Sequence, residues 1–117
     1  PKPALNAPWD GGVVWKKDEK GNPWINVACQ GLGASVWWPC KDHQSDEPDS
    51  TQISIITPDT LMNISNGRLR NTSASVNGFK TWTWFVSKPI NIYNITMNIG
   101  KYAHFKDTLM GENGKLD

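Results

Sequence analysis

Two histidines, two cysteines and a short acidic run are the residues of this 117-residue sequence whose chemistry could make a site. A zinc hydrolase needs two or three His or carboxylate ligands converging on one metal, typically a His-Glu-x-x-His turn with a distant Glu. His43 and His104 are the only histidines, and neither has a second histidine at helical spacing. Cys40-x-x-His43 together with Cys29 imitates a ligand set, but its spacing matches no standard zinc finger. His43 therefore reads as a solvated loop residue and His104 as a strand-edge residue. No metal ligand is assigned to this chain.

Covalent catalysis is equally poorly supplied. There is no Gly-x-Ser-x-Gly elbow, and a thiolate at Cys29 or Cys40 would need a nearby imidazole and an orienting group. A cysteine in a strand is more often a small apolar residue. Asp46, Glu47 and Asp49 cluster around Pro48 without the register of a calcium loop, so they read as a solvated loop. Gly31-x-Gly33 is a turn and no phosphate cradle, because no helix follows it. The triplets beginning at Asn63, Asn71 and Asn94 satisfy the glycosylation rule, which matters only in a eukaryotic secretory protein.

The elements that would position such residues are strands. Seven tryptophans mark a core rich in large rings, while eight prolines and ten glycines mark many short elements joined by turns. Residues 1–12 read as a loop. Val13–Lys17 and Trp24–Cys29 flank a polar Gly-Asn-Pro turn and predict a hairpin. Ser35–Trp38 reads as a short strand stopped by Pro39, which cannot donate to a ladder. Lys41–Ser50 is a polar loop, and Thr51–Thr57 is a strand ended by Pro58-Asp59.

Leu61–Ser65 leads into a tight turn at Asn66-Gly67 and then to Arg68-Leu69-Arg70. A second turn at Asn77-Gly78 precedes Lys80–Val86, where Trp82, Trp84 and Val86 face one way and Thr81, Thr83 and Phe85 the other. From Ile90 to Tyr102 the alternation puts Ile92, Asn94, Thr96 and Asn98 on an exposed face. Tyr93, Ile95, Met97 and Ile99 then fall on the core. Met110–Asp117 reads as a linker or boundary segment.

These elements predict an all-β fold, either an antiparallel β-sandwich or an open saddle-like sheet, in one domain spanning residues 1–117. No stretch carries a helical period over three turns. The net charge of +1 supplies no broad field for nucleic acid or an anionic membrane, and the apolar runs are too short to cross a bilayer. Neither partner is expected. Cys29 and Cys40 are too few for a disulfide-stapled fold and can pair once at most.

The most informative stretch is Ala28–Asp42, a strand end, a glycine turn and an apolar run closed by Pro39-Cys40-Lys41-Asp42. Gln30 stands nine positions before Pro39. Further on come Pro58, Ser65-Asn66-Gly67, Thr81-Trp82-Thr83-Trp84, Pro89-Ile90, Tyr93, and Asn98-Ile99-Gly100-Lys101-Tyr102 with Phe105. In this order and spacing the chain resembles the latter part of the non-catalytic N-terminal β-domain of zinc aminopeptidases of the aminopeptidase N and leukotriene hydrolase type. The run Trp37–Asp49 is similar to bacterial members. A longer insert interrupts the family's usual Asp-x-Pro after Cys40.

The resemblance implies a saddle-shaped β-structure lying against a thermolysin-like catalytic domain of the same polypeptide, with one loop reaching the cleft where a peptide binds. The family residue matching Gln30 is a Glu or Gln that holds the substrate's N-terminal end, which makes Gln30 the expected substrate-binding residue. Gln here resembles the leukotriene hydrolase branch. A neutral amide offers an acceptor and two donors, so it holds an α-ammonium more weakly than a carboxylate does.

No catalytic residue is expected in this chain. The resemblance places zinc in a catalytic domain outside these residues, and the family's preceding strands are also outside them. By itself the chain should bind no cofactor, cleave nothing, and present sheet edges prone to self-pairing. Relatives are often exported, which implies a periplasmic or secreted setting. A rival reading is a Trp-rich carbohydrate-binding β-sandwich, for which Trp9 and Trp24 are the platform residues.

Overall fold

Strands form where β-branched and aromatic residues alternate, and turns fall at the glycines, prolines and asparagines between them. The computed structural model describes residues 11–105, 107, 109–111 and 114–116. The fold is all-β, and every pairing among the described strands is antiparallel. The opening loop expected at 1–12 lies almost entirely outside the described residues, and so does Trp9.

The predicted first hairpin is present as β1 (Gly12–Lys17) and β2 (Pro23–Ala28). Its turn is tied by Asp18, whose carboxylate accepts from the backbone N–H groups of Lys20 and Asn22 at 2.9 and 2.8 Å and from the Asn22 side-chain amide at 2.8 Å. Strands β3 (Thr51–Pro58), β4 (Met62–Ser65), β5 (Arg68–Thr72), β6 (Phe79–Val86) and β7 (Met97–Gly100) follow. One sheet has the order β1-β2-β7-β4 and the other β3-β6-β5.

The turn at Asn66-Gly67 does not close a hairpin. It carries the chain from β4 in the first sheet to β5 in the second. Gly67 has φ of 82° and lies so close to β6 that an added Cβ would clash with the Phe85 carbonyl oxygen. Glycine is needed there on both counts. Asn77-Gly78, in contrast, joins Val76 to Phe79 across a local bridge at the head of β6, as the sequence predicts.

The expected faces of β6 are observed. Trp84 stands opposite Ile53 and Leu69, and Trp82 opposite Ile55 and Thr72, on the side facing the first sheet. The Trp82 indole donates to Thr57 Oγ1 at 3.0 Å, which satisfies a ring nitrogen that burial would otherwise leave costly. Val13, Ile25, Leu61 and Ile99 form one core cluster, and Ile53, Ile92 and Ile95 another. Trp37 and Ile55 pack against both clusters and so join the two sheets. Each fully buried aliphatic side chain contributes roughly 1.5–3 kcal/mol, so this shared interior holds the layers together.

Three expectations are corrected. Ser35–Trp38 is no strand: Ala34–Val36 forms a 3-10 turn that swings Trp37 inward. The run from Ile90 to Tyr102 is broken, because Asn91 caps a 3-10 turn at Ile92–Asn94 by accepting from the Tyr93 N–H at 2.9 Å. The alternation therefore fails before β7, with Ile92 buried and Tyr93 exposed. The segment after Met110 is not wholly a linker, since β8 (Leu109–Gly111) and β9 (Gly114–Leu116) pair as a ribbon.

Candidate functional site

Gln30 sits at the tip of the turn that leaves β2, exposed to solvent. The turn is held by the backbone N–H groups of Leu32 and Gly33, which both donate to the Cys29 carbonyl at 3.0 Å. Gly33 then takes φ of 84° and ψ of 169°, a region that only glycine occupies readily. Among the described residues, the Gln30 side-chain amide makes no hydrogen bond. Its acceptor and two donors face outward, available to another molecule.

Asp42, from the far end of the loop, anchors the segment that follows this turn. Its carboxylate accepts from the Ser35 N–H at 3.0 Å and from the Ser35 hydroxyl, and the Cys40 thiol approaches the same group at 3.9 Å. Donation by the Ser35 hydroxyl, and next by the Ser35 backbone, holds the Asp42 carboxyl below its ordinary range. The Pro39-Cys40-Lys41-Asp42 motif is thus a clasp. It closes the chain back on Gly33 and Ser35, a few residues after Gln30.

Both cysteines are free thiols. Cys29 is buried and Cys40 half-buried. Burial raises each thiol above its usual value, and the Asp42 charge adds to the rise. They stay protonated near neutrality, which makes them poor nucleophiles. His43 is an exposed loop residue whose Nδ1 lies 2.7 Å from Ser45 Oγ. His104 is exposed too, but it lies beyond the end of β7 and on no strand edge. Asp46, Glu47 and Asp49 are exposed, and among the described residues no three His, Cys, Asp or Glu side chains are placed to hold a metal ion.

A shallow hollow of about 240 Å³ lies beside Gln30, with Val27–Gln30 on one wall and Tyr93, Ile95 and Thr96 on the other. A second hollow of about 180 Å³ runs between Gly33, Asp42, His43 and Asn91. Tyr93 lines both and forms the ridge between them. Asn91 steadies that ridge, since its carboxamide accepts from the Tyr93 N–H and donates to the Gln44 carbonyl at 3.2 Å.

The structure brings Gln30, Tyr93 and the Asp42 clasp to one surface. Reading the alternation as a continuous strand assigns Tyr93 to the core and so misses it. The signal that finds it is Pro89 followed by Asn91, an extended residue and then a side-chain cap that starts a new turn. No protein-family model matches the chain, and no curated protein matches it either.

Proposed function

We propose that the chain is part of the non-catalytic N-terminal β-domain of a zinc-dependent aminopeptidase, where it braces the catalytic domain and contributes one contact to the substrate's N-terminal end. The observation that carries this reading is the state of Gln30: exposed, unpartnered among the described residues, and held on a clasped turn beside a hollow. A side chain meant only to finish a strand needs no such support.

The chemistry asked of this chain is modest. The Gln30 Oε1 would accept from the α-ammonium of a peptide, and Tyr93 would offer an apolar ring to the residue behind it. On this reading the zinc would be held by other sequence of the same polypeptide. When bound there it activates water for peptide hydrolysis. The setting would be periplasmic or secreted.

The rival reading is a Trp-rich carbohydrate-binding β-sandwich with Trp9 and Trp24 as platform residues; Trp24 and Trp15 are exposed, at 40% and 66%, while Trp9 lies outside the described residues. Trp37, Trp38, Trp82 and Trp84 are half-buried, and Trp37, Trp38 and Trp84 pack against the core clusters. The direct test of the proposal is the remainder of the reading frame. A His-Glu-x-x-His motif with a distant Glu should follow within the next domain's length, and a frame lacking it would remove the basis for this function.

A further inference from the structure

On the outer face of the first sheet, away from Gln30, two aromatic rings share one glycine. Trp24 of β2 is 40% exposed, and its indole N–H donates to the Tyr102 hydroxyl at 3.0 Å. An added Cβ at Gly100 would lie 3.2 Å from both Trp24 Cδ1 and the Tyr102 ring, so the missing side chain is what lets both rings settle on the sheet. The hydrogen bond fixes the orientation of the indole. It also uses up the ring's only polar atom, leaving the exposed part as a purely apolar surface.

Beside these rings are two connected hollows of about 380 and 570 Å³ that share Asp18, Glu19, Lys101 and Tyr102. Those volumes lie within the usual range for small-ligand sites. Asp18 is already committed to its own turn. Glu19, Lys17 and Lys101 make no hydrogen bond or ion pair among the described residues. The rim thus carries free acceptors and free donors of opposite sign around an apolar platform.

We propose that this surface is a binding subsite for a neutral oligosaccharide, independent of the peptide contact at Gln30. A pyranose ring has an apolar C–H face that fits the fixed indole. Its hydroxyl groups both donate and accept, matching Glu19 on one side and Lys17 and Lys101 on the other. A site for an anion or a cation would show one sign of charge; this rim shows both.

The test is a titration of the chain with cellohexaose, xylohexaose, chitohexaose and maltohexaose, followed by tryptophan fluorescence and by backbone and indole NMR shifts. At least one sugar should bind in the millimolar range or tighter, with shifts centred on the Trp24 indole, Glu19 and Lys101. Trp24→Ala should weaken that binding by roughly tenfold or more. Trp24→Tyr, which keeps a ring, should retain most of it, and Gln30→Ala should leave it unchanged. Failure of all four sugars to shift these signals would overturn the proposal. So would binding that survives Trp24→Ala, or a response confined to tetramethylammonium as a cationic probe.

Discussion

The carboxylate of Asp42 lies against the α-carbon of Gly33, so close that a Cβ there would sit 2.6 Å from Asp42 Cγ. This single contact explains why a glycine turn and a Pro-Cys-x-Asp run belong together in one stretch of sequence. The aspartate reaches across to Ser35, and only a residue without a side chain leaves it room.

Gly33→Ala should therefore destabilise the protein through both backbone strain and the clash with Asp42. The strain of a non-glycine residue at this φ and ψ alone costs about 1–3 kcal/mol. Urea denaturation followed by tryptophan emission measures the loss. A variant as stable as the parent would show that the clasp does not constrain the turn.

Acid should release the clasp late. The folded Asp42 carboxyl titrates below the ordinary 3.8, chiefly because the Ser35 hydroxyl donates to its ionised form. Since the unfolded chain takes up that proton first, ionised Asp42 stabilises the fold at every pH above 3.8. The contribution fades as pH falls below 3.8 through the folded value. The Ser35 amide proton shift, followed by NMR on acidification, should hold constant until below that pH. A midpoint at or above it would contradict the proposed donation.

The two thiols should resist alkylation at neutral pH. Desolvation first, and the Asp42 charge second, hold both above the usual 9.0. Iodoacetamide labelling read by mass spectrometry should be slow at pH 7 and should rise only in alkali. Half-buried Cys40 should label before buried Cys29. Rapid labelling of Cys29 at pH 7 would contradict the burial that holds its thiol up.

Asn63 offers a stabilising change. It is fully buried on the core side of β4, and among the described residues neither its carbonyl oxygen nor its amide nitrogen has a partner. Leaving a buried polar group unsatisfied costs about 1–3 kcal/mol. Asn63→Leu should raise the urea midpoint, whereas a lower midpoint would mean that the amide is satisfied by bound water. The same burial hides the glycosylation triplet at Asn63, while the asparagines at 71 and 94 are exposed.

Much of this architecture was legible in the sequence because period-two alternation is a local property. The β1–β2 hairpin, β3 and the two faces of β6 follow from runs such as Trp82–Val86, where neighbouring residues alone decide the outcome. The Asn66-Gly67 turn was legible as a turn, but not as a crossing between sheets, since sheet membership depends on the distant partners β6 and β7. Ser35–Trp38 and Ile92–Asn94 carry strand-like residues, yet core docking of Trp37 and Ile92, with the Asn91 cap on the second turn, overrides that propensity. Gln30 could be placed on a turn from Gly31 and Gly33. Its support by Asp42, and the nearness of Tyr93, depend on contacts that no local pattern encodes.

The most direct measurement of the central claim is peptide turnover by the full polypeptide carrying Gln30→Ala, compared on a free-amine peptide and its N-acetylated counterpart. The account predicts that KM for the free-amine peptide rises by about tenfold, the value of one hydrogen bond to a charged group, with no change for the acetylated one. Identical kinetics for wild type and Gln30→Ala on the free-amine peptide would contradict it.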